Sequence, residues 1–304
     1  MDGSEARSRA AEGKAGDFTG AHGNRLAATF FEAAGPPVLF FHGGGQTRYA
    51  WDASARAVQA AGWTGISVDL RGHGESEWLA GQQYAFEDFA EDAAHVGKAV
   101  AAARDRRPIA VGASLGGISA LVAQYESDQT LFEALVLVDV TPRMKRDGVE
   151  RILGFMADRM QEGFGSLEEA ADVITAYLPH RSRPKSLSGL SKNLRLGEDG
   201  RYRWHWDPAF LNGPRPVYSG RVASEDYRMD AARALSVPTL LVHGRQSELV
   251  SEDLAKAFKA LVPHARLADV SGAGHMVAGD RNDAFQSAIL EFLQNDIAGF
   301  RQTE

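Results

Sequence analysis

The stretch V-G-A-S-L-G-G, residues 111–117, sets one serine among small residues between two apolar segments. P-I-A-V-G-A (108–113) runs into it as a buried strand would. I-S-A-L-V-A-Q-Y (118–125) leaves it with helical spacing. Gly112 and Gly116 flank Ser114 at minus two and plus two, the G-x-S-x-G pattern of a nucleophile on a sharp strand-to-helix turn. The spacing has a steric reason. Such a reversal forces the central residue into a strained backbone region, and side chains at the flanking positions would collide across the turn. A helix opening at Leu115 also points its N–H groups toward negative charge developing near Ser114. The competing reading, an ordinary serine in a glycine-rich loop, does not account for the strand before it and the helix after it.

Working outward, short apolar runs alternate with longer amphipathic ones. R-L-A-A-T-F-F-E-A (25–33) and P-P-V-L-F-F-H-G (36–43) read as neighbouring strands joined by a turn-forming Ala-Gly-Pro-Pro stretch. Residues 64–70, 108–114, 133–140 and 237–244 are apolar at consecutive positions, as strands covered on both faces should be. Residues 265–272 form a weaker seventh run. Helical spacing is found near 50–61, 87–104, 115–126, 252–261 and 281–298. Strand and helix in alternation predict an α/β fold, a mostly parallel central sheet flanked by helices. The rhythm breaks between 142 and 230, where two helical stretches precede a polar segment rich in Arg and Trp. This predicts an inserted helical cap over 142–230 and a core formed by 17–141 and 231–304. Residues 1–16, a mixture of charge with Ala and Gly, read as a mobile tail.

Serine chemistry needs an oxyanion site, a base and an acid. H-G-G-G-Q (42–46) ends the strand V-L-F-F at the sheet edge expected for Ser114. Its glycines let backbone approach an oxyanion, so Gly44 and Leu115 are the expected donors, with Gly45 close behind Gly44. Of nine histidines, His275 in S-G-A-G-H-M follows the last strand and precedes the final helix, and is the expected base. His42 and His243 each end a strand inside His-Gly and read as bonding the backbone of their own turns. His73 reads as structural, and Asp69 as a brace for the R-G-H-G turn. Two carboxylates compete to orient His275. Glu248 lies on the loop after the penultimate strand, in the order serine, acid, histidine, and is preferred. Asp139, at the end of L-V-L-V-D-V, is the alternative, with its loop opening at the same edge.

The cap supplies Phe155, Phe164, Tyr177, Trp204 and Trp206, which wall a pocket or form the cap's own small core. Met156 and Met160 read as packing residues. Trp204, Trp206, His205 and, beyond the oxyanion loop, Trp51 are the expected substrate-contacting residues. The basic run Arg181, Arg183, Lys185, Lys192, Arg195, Arg201 and Arg203 reads as a solvated face, with recognition of an anionic substrate portion as the alternative.

Composition narrows the function. A net charge of −7 gives no general electrostatic reason to bind nucleic acid or an anionic membrane. The absence of cysteine removes disulfides, thiolate metal sites and cysteine nucleophiles. No secretory leader or membrane-spanning run is visible, so the protein is expected to be soluble and cytoplasmic, working on a small molecule, with a homo-oligomer left open.

With these residues assembled, the sequence resembles the α/β-hydrolase superfamily over roughly residues 18–298, in particular its capped esterase, lactonase and cofactor-free haloperoxidase-like members. The resemblance rests on H-G-G-G-Q, D-L-R-G-H-G-E-S (69–76), G-A-S-L-G-G, H-G-R-Q-S-E-L-V (243–250) and G-A-G-H-M-V-A-G-D (272–280) occurring in the family's order. It implies a triad of Ser114, His275 and an acid, no metal or cofactor, and a helical cap between the sixth and seventh strands. Ser114 stands where epoxide hydrolases and haloalkane dehalogenases of this fold carry aspartate, which disfavours those reactions. Glu248 departs from the usual Asp at its position, and Ala113 is smaller than the residue many relatives carry. The expected activity is hydrolysis of a small or medium carboxylic ester or lactone through an acyl-enzyme. Perhydrolysis, carbon–carbon bond cleavage and a non-catalytic ligand receptor on the same fold stay open.

Overall fold

A computed structural model describes residues 13–178, 187, 189–280 and 282–297. Arginines 181 and 183 and Lys185 of the basic run lie outside them, as do residues 1–12.

The strands are β1 (Lys14–Thr19), β2 (Arg25–Phe31), β3 (Pro37–Phe41), β4 (Thr64–Val68), β5 (Ile109–Ala113), β6 (Ala134–Val138), β7 (Leu194–Leu196), β8 (Tyr202–Trp204), β9 (Thr239–Gly244) and β10 (Arg266–Val270). Eight form one sheet in the order β1-β2-β4-β3-β5-β6-β9-β10. It is parallel from β4 to β10, with β2 antiparallel to β4 and β1 antiparallel to β2. Along β3 the faces alternate. Val38 and Phe40 pack into one core cluster with Val111, Val136 and Val242, while Leu39 and Phe41 pack into the other with Ala110, Leu137 and Leu241. Both faces are covered, so the central strands carry no polar face and read as unbroken apolar runs.

The helices are α1 (Asp52–Ala60), α2 (Phe86–Arg104), α3 (Leu115–Glu126), α4 (Arg146–Ala157), α5 (Leu167–Tyr177), α6 (Ala209–Asn212), α7 (Glu225–Arg233), α8 (Glu252–Leu261), α9 (Val277–Asp280) and α10 (Asn282–Phe292). Ala55 and Val58 of α1 and Phe285, Ile289 and Phe292 of α10 cover the first face. Phe89, Ala93 and Val96 of α2 and Ile118, Leu121 and Val122 of α3 cover the second. No helix among the described residues is long and apolar enough to cross a membrane.

Two local expectations are corrected. Residues 14–16, assigned to a mobile tail, belong to the edge strand β1, whose Lys14 pairs with Phe30 and whose Thr19 pairs with Arg25. This strand is largely exposed and carries Gly and charge, so no apolar pattern announces it. The insertion is also not purely helical. Between β6 and β9, helices α4 to α7 are joined by the hairpin β7–β8, in which Leu194 faces Trp204 across a turn closed by Gly197 N–H donating to Arg201 O at 2.8 Å. Three residues per strand are too few to show a period of two.

The insertion is stitched to the core beneath it. Tyr84 donates its hydroxyl to Asp207 at 2.6 Å, Asp207 N–H reaches Gly72 O at 2.8 Å, and Gly74 N–H reaches His205 O at 2.7 Å. These bonds hold the insertion over the C-terminal ends of the parallel strands. Strand order reverses there between β3 and β5, where open α/β sheets bind ligands.

Candidate active site

Ser114 joins β5 to α3 with φ 46° and ψ −112°, a backbone conformation that non-glycine residues rarely adopt. The flanking glycines make it attainable. A methyl group at Gly112 would strike the carbonyl of Gly116, and one at Gly116 would strike the carbonyl of Phe41. As the first residue of α3, Leu115 has no acceptor for its N–H within the helix.

The loop after β3 lies alongside. A Cβ at Gly43 would stand 3.6 Å from Ser114 Cβ, and one at Gly44 would stand 3.9 Å from Leu115 Cδ2. Gly45 takes φ 77°. Gln46, which the sequence did not single out, fastens this loop. Its Oε1 accepts Gly43 N–H at 3.0 Å, and its amide nitrogen approaches the sulfur of Met276, next to His275, at 2.9 Å.

His275 sits in the loop after β10 with Nδ1 2.8 Å from Asp139 Oδ2. This corrects the preferred assignment of the acid, because the carboxylate on His275 is Asp139 and not Glu248. The reason is strand adjacency. β6 pairs directly with β9, so Asp139, the residue after β6, meets the end of β9. Gly244 N–H donates to Asp139 Oδ1 at 3.1 Å, and Ser247 Oγ donates to Oδ2 at 2.5 Å. Asp139 is fully buried and itself takes φ 49°, a conformation fixed by bonds at both carboxylate oxygens. Glu248 instead turns to the insertion. Its Oε1 accepts the Tyr177 hydroxyl at 2.8 Å and its Oε2 lies 3.3 Å from Arg151 Nε.

Three further histidines, His42, His73 and His243, are braces. His42 contacts Gly43 O at 2.8 Å through Nδ1 and accepts Leu70 N–H at 3.0 Å through Nε2, and burial lowers its pKa to about 4. His73 contacts Arg71 O at 2.9 Å, and burial, together with His42 beside it, lowers its pKa to about 3. His243 spans Asp269 and Val250 O, at 2.9 and 3.0 Å. Asp69 accepts Glu75 N–H at 3.0 Å, bracing its turn.

Ser114 and His275 open into one cavity of about 730 Å³, with Gly44, Leu115, Trp51, Trp204 and Trp206 in its wall. Phe155, Met156, Tyr177 and Phe210 join them. Trp51 is wedged between Phe40 and Phe285, with ring centroids 5.4 and 5.6 Å away, so most of its ring serves the core. Phe164 lies behind Trp204, edge-on at 5.2 Å. His205 is a second correction. It is not part of this wall; its carbonyl accepts Gly74 N–H, tying the insertion to the core, and its N–H donates to Asn193 O within the insertion. Among the described residues no group of three or more His, Asp or Glu side chains is arranged to hold a metal ion.

The family model for the alpha/beta hydrolase fold matches residues 36–281. The chain belongs to that family. This α/β hydrolase is 28% identical over 279 residues to an esterase of Mycobacterium tuberculosis, covering 88% of this chain and 85% of the relative. It is 27% identical over 270 residues to a non-heme haloperoxidase of Rhodococcus erythropolis, covering 86% and 93%. A crystal structure of the M. tuberculosis esterase superposes with a TM-score of 0.71 at 26% identity, covering 93% of this chain and 92% of that one.

Proposed function

We propose that this α/β hydrolase cleaves a carboxylic ester or lactone of small to medium size through Ser114, His275 and Asp139. One observation carries the reading: His275 Nδ1 bonds a buried carboxylate at 2.8 Å in the same apolar cavity where Ser114 is held on a strained turn. Asp139 fixes the tautomer with the proton on Nδ1 and leaves Nε2 free to act as base. Ser114 Oγ attacks the ester carbonyl and gives its proton to His275. Gly44 and Leu115 donate N–H to the resulting oxyanion. Collapse expels the alcohol, which takes that proton. Water, deprotonated by His275, then attacks the acyl-enzyme, releasing the acid and restoring Ser114.

Similarity to the esterase supports ester chemistry, and similarity to the haloperoxidase supports a second reading, in which hydrogen peroxide replaces water and releases a peracid. The test is a panel of p-nitrophenyl esters and lactones, varied in acyl length and ring size, with fluorophosphonate labelling of wild type and Ser114→Ala. Turnover and labelling by wild type alone are the expected result. Peroxide-dependent peracid release in the same assay identifies the second reading. Ligand binding that survives Ser114→Ala, with neither turnover nor labelling by wild type, overturns both in favour of a receptor.

A further inference from the structure

Glu248 does not hold His275, yet it lines the cavity. Arg151 of α4 and Tyr177 at the end of α5 meet it there. Arg151 Nε lies 3.3 Å from Glu248 Oε2, and Tyr177 donates its hydroxyl to Oε1 at 2.8 Å. A second Arg151 nitrogen reaches Tyr177 O at 3.1 Å, and the guanidinium lies 5.2 Å from the Tyr177 ring centroid. Tyr177 is itself stacked on Phe155 with centroids 4.0 Å apart. Among the described residues, Arg151 and Glu248 are the guanidinium and acid side chains of a wall otherwise built of apolar and polar groups and the His275 imidazole.

Resting on the ester-hydrolase reading of this cavity, we infer that Glu248 is a specificity-determining residue. By cancelling Arg151 it keeps the wall neutral and selects esters whose acyl portion carries no charge. A guanidinium presents a donor fork that fits a carboxylate, so an unpaired Arg151 would recruit an anionic acyl chain. With Glu248 in place, an incoming carboxylate must displace an existing partner and meets a like charge. The Tyr177 hydroxyl keeps Glu248 aimed at that position. Its phenol is pushed up by burial and by Glu248, so it remains a donor at neutral pH. The Arg151 side chain is 52% exposed, so solvent screens the pair and the effect is measured in tens rather than thousands.

The test compares kcat/KM for p-nitrophenyl hexanoate and p-nitrophenyl hydrogen adipate, which share a leaving group and chain length and differ in a terminal carboxylate. Wild type is expected to favour the neutral ester by about thirtyfold, and Glu248→Gln to narrow that ratio by about tenfold. Adding Arg151→Gln to Glu248→Gln should restore the preference. Arg151→Gln alone leaves Glu248 uncompensated and should deepen rejection of the adipate, which keeps a reading available if Glu248→Gln folds poorly. A ratio unmoved by Glu248→Gln, or by Arg151→Gln where that variant alone is folded, overturns the inference. If wild type hydrolyses neither ester and Ser114 resists labelling, the ester reading itself has failed. Octanamide against octanoate binding, a neutral and a singly anionic ligand of one chain length, followed by tryptophan fluorescence in wild type and the same variants, then decides the charge question by the same comparison.

Discussion

His275 Nδ1 and the hydroxyl of Ser247 converge on one oxygen of Asp139, at 2.8 and 2.5 Å. That oxygen carries the orientation of the imidazole, so Asp139→Asn should present an amide where a carboxylate is needed and favour the wrong tautomer of His275. Ester turnover should fall by about 10³–10⁴-fold. Glu248→Gln should cost less than about tenfold on a neutral ester, since Glu248 touches the wall and not the imidazole. Equal losses in the two variants, measured as kcat on one p-nitrophenyl ester, would remove Asp139 from its assigned place.

Ser247 is a second support of the same carboxylate. Beyond its bond to Asp139, its Oγ accepts the N–H groups of Leu249 and Val250, each at 3.0 Å, so one hydroxyl shapes the loop after β9 and holds the acid. Ser247→Ala leaves these buried groups short of a partner and should cost about 1–3 kcal/mol of stability with a drop in kcat. Ser247→Thr, which keeps the hydroxyl, should recover most of the kcat. A denaturant midpoint and kcat that do not move in Ser247→Ala would exclude the role.

Which parts were legible in the sequence follows from how local their causes are. The Ser114 turn depends on clashes among residues within a few positions, apart from Phe41, and its glycines announce it. The central strands are apolar without a break because helices cover both faces, and that too is written locally. The acid was not legible in this way. Asp139 and Glu248 both follow strands that end at one sheet edge, and the choice is set by β6 lying beside β9, far apart in the chain, and by Tyr177 and Arg151 drawing Glu248 away. His205 misled for a similar reason, since the bonds that hold it come from the turn at Gly74 and from Asn193. Gln46 and Ser247 lie within H-G-G-G-Q and H-G-R-Q-S-E-L-V, but their polarity alone does not say which loop or carboxylate they hold.

The steric account of the turn makes its own prediction. In Gly116→Ala the added methyl meets the Phe41 carbonyl, and neither backbone segment can retreat without moving β3 or α3. Destabilisation of about 3 kcal/mol or more is expected, read as a thermal midpoint lower by several degrees or as loss of soluble protein. Gly154→Ala in α4, where a Cβ meets nothing within 4 Å, should be neutral or slightly stabilising. Similar midpoints for the two variants would refute the steric argument.

The buried histidine pair is expected to lower the protein's stability in mild acid. His42 and His73 stand 5.3 Å apart, fully buried, with pKa values lowered to about 4 and about 3 by burial. Both are therefore neutral in the folded protein over a range where the unfolded chain, with histidines near 6.5, binds protons. Because the unfolded state binds more protons, stability falls as pH drops below about 6.5. Each histidine contributes on the order of 1 kcal/mol per pH unit until its folded value is reached. His73→Phe removes one of the two and keeps an apolar ring against Phe210 and Phe89, whose centroids lie 4.9 and 6.2 Å from that of His73. Urea midpoints measured from pH 7 to pH 4.5 should decline less steeply in this variant than in wild type, whatever its stability at pH 7. Parallel slopes would mean that His73 takes up its proton without unfolding, and the acid sensitivity would then belong to other groups.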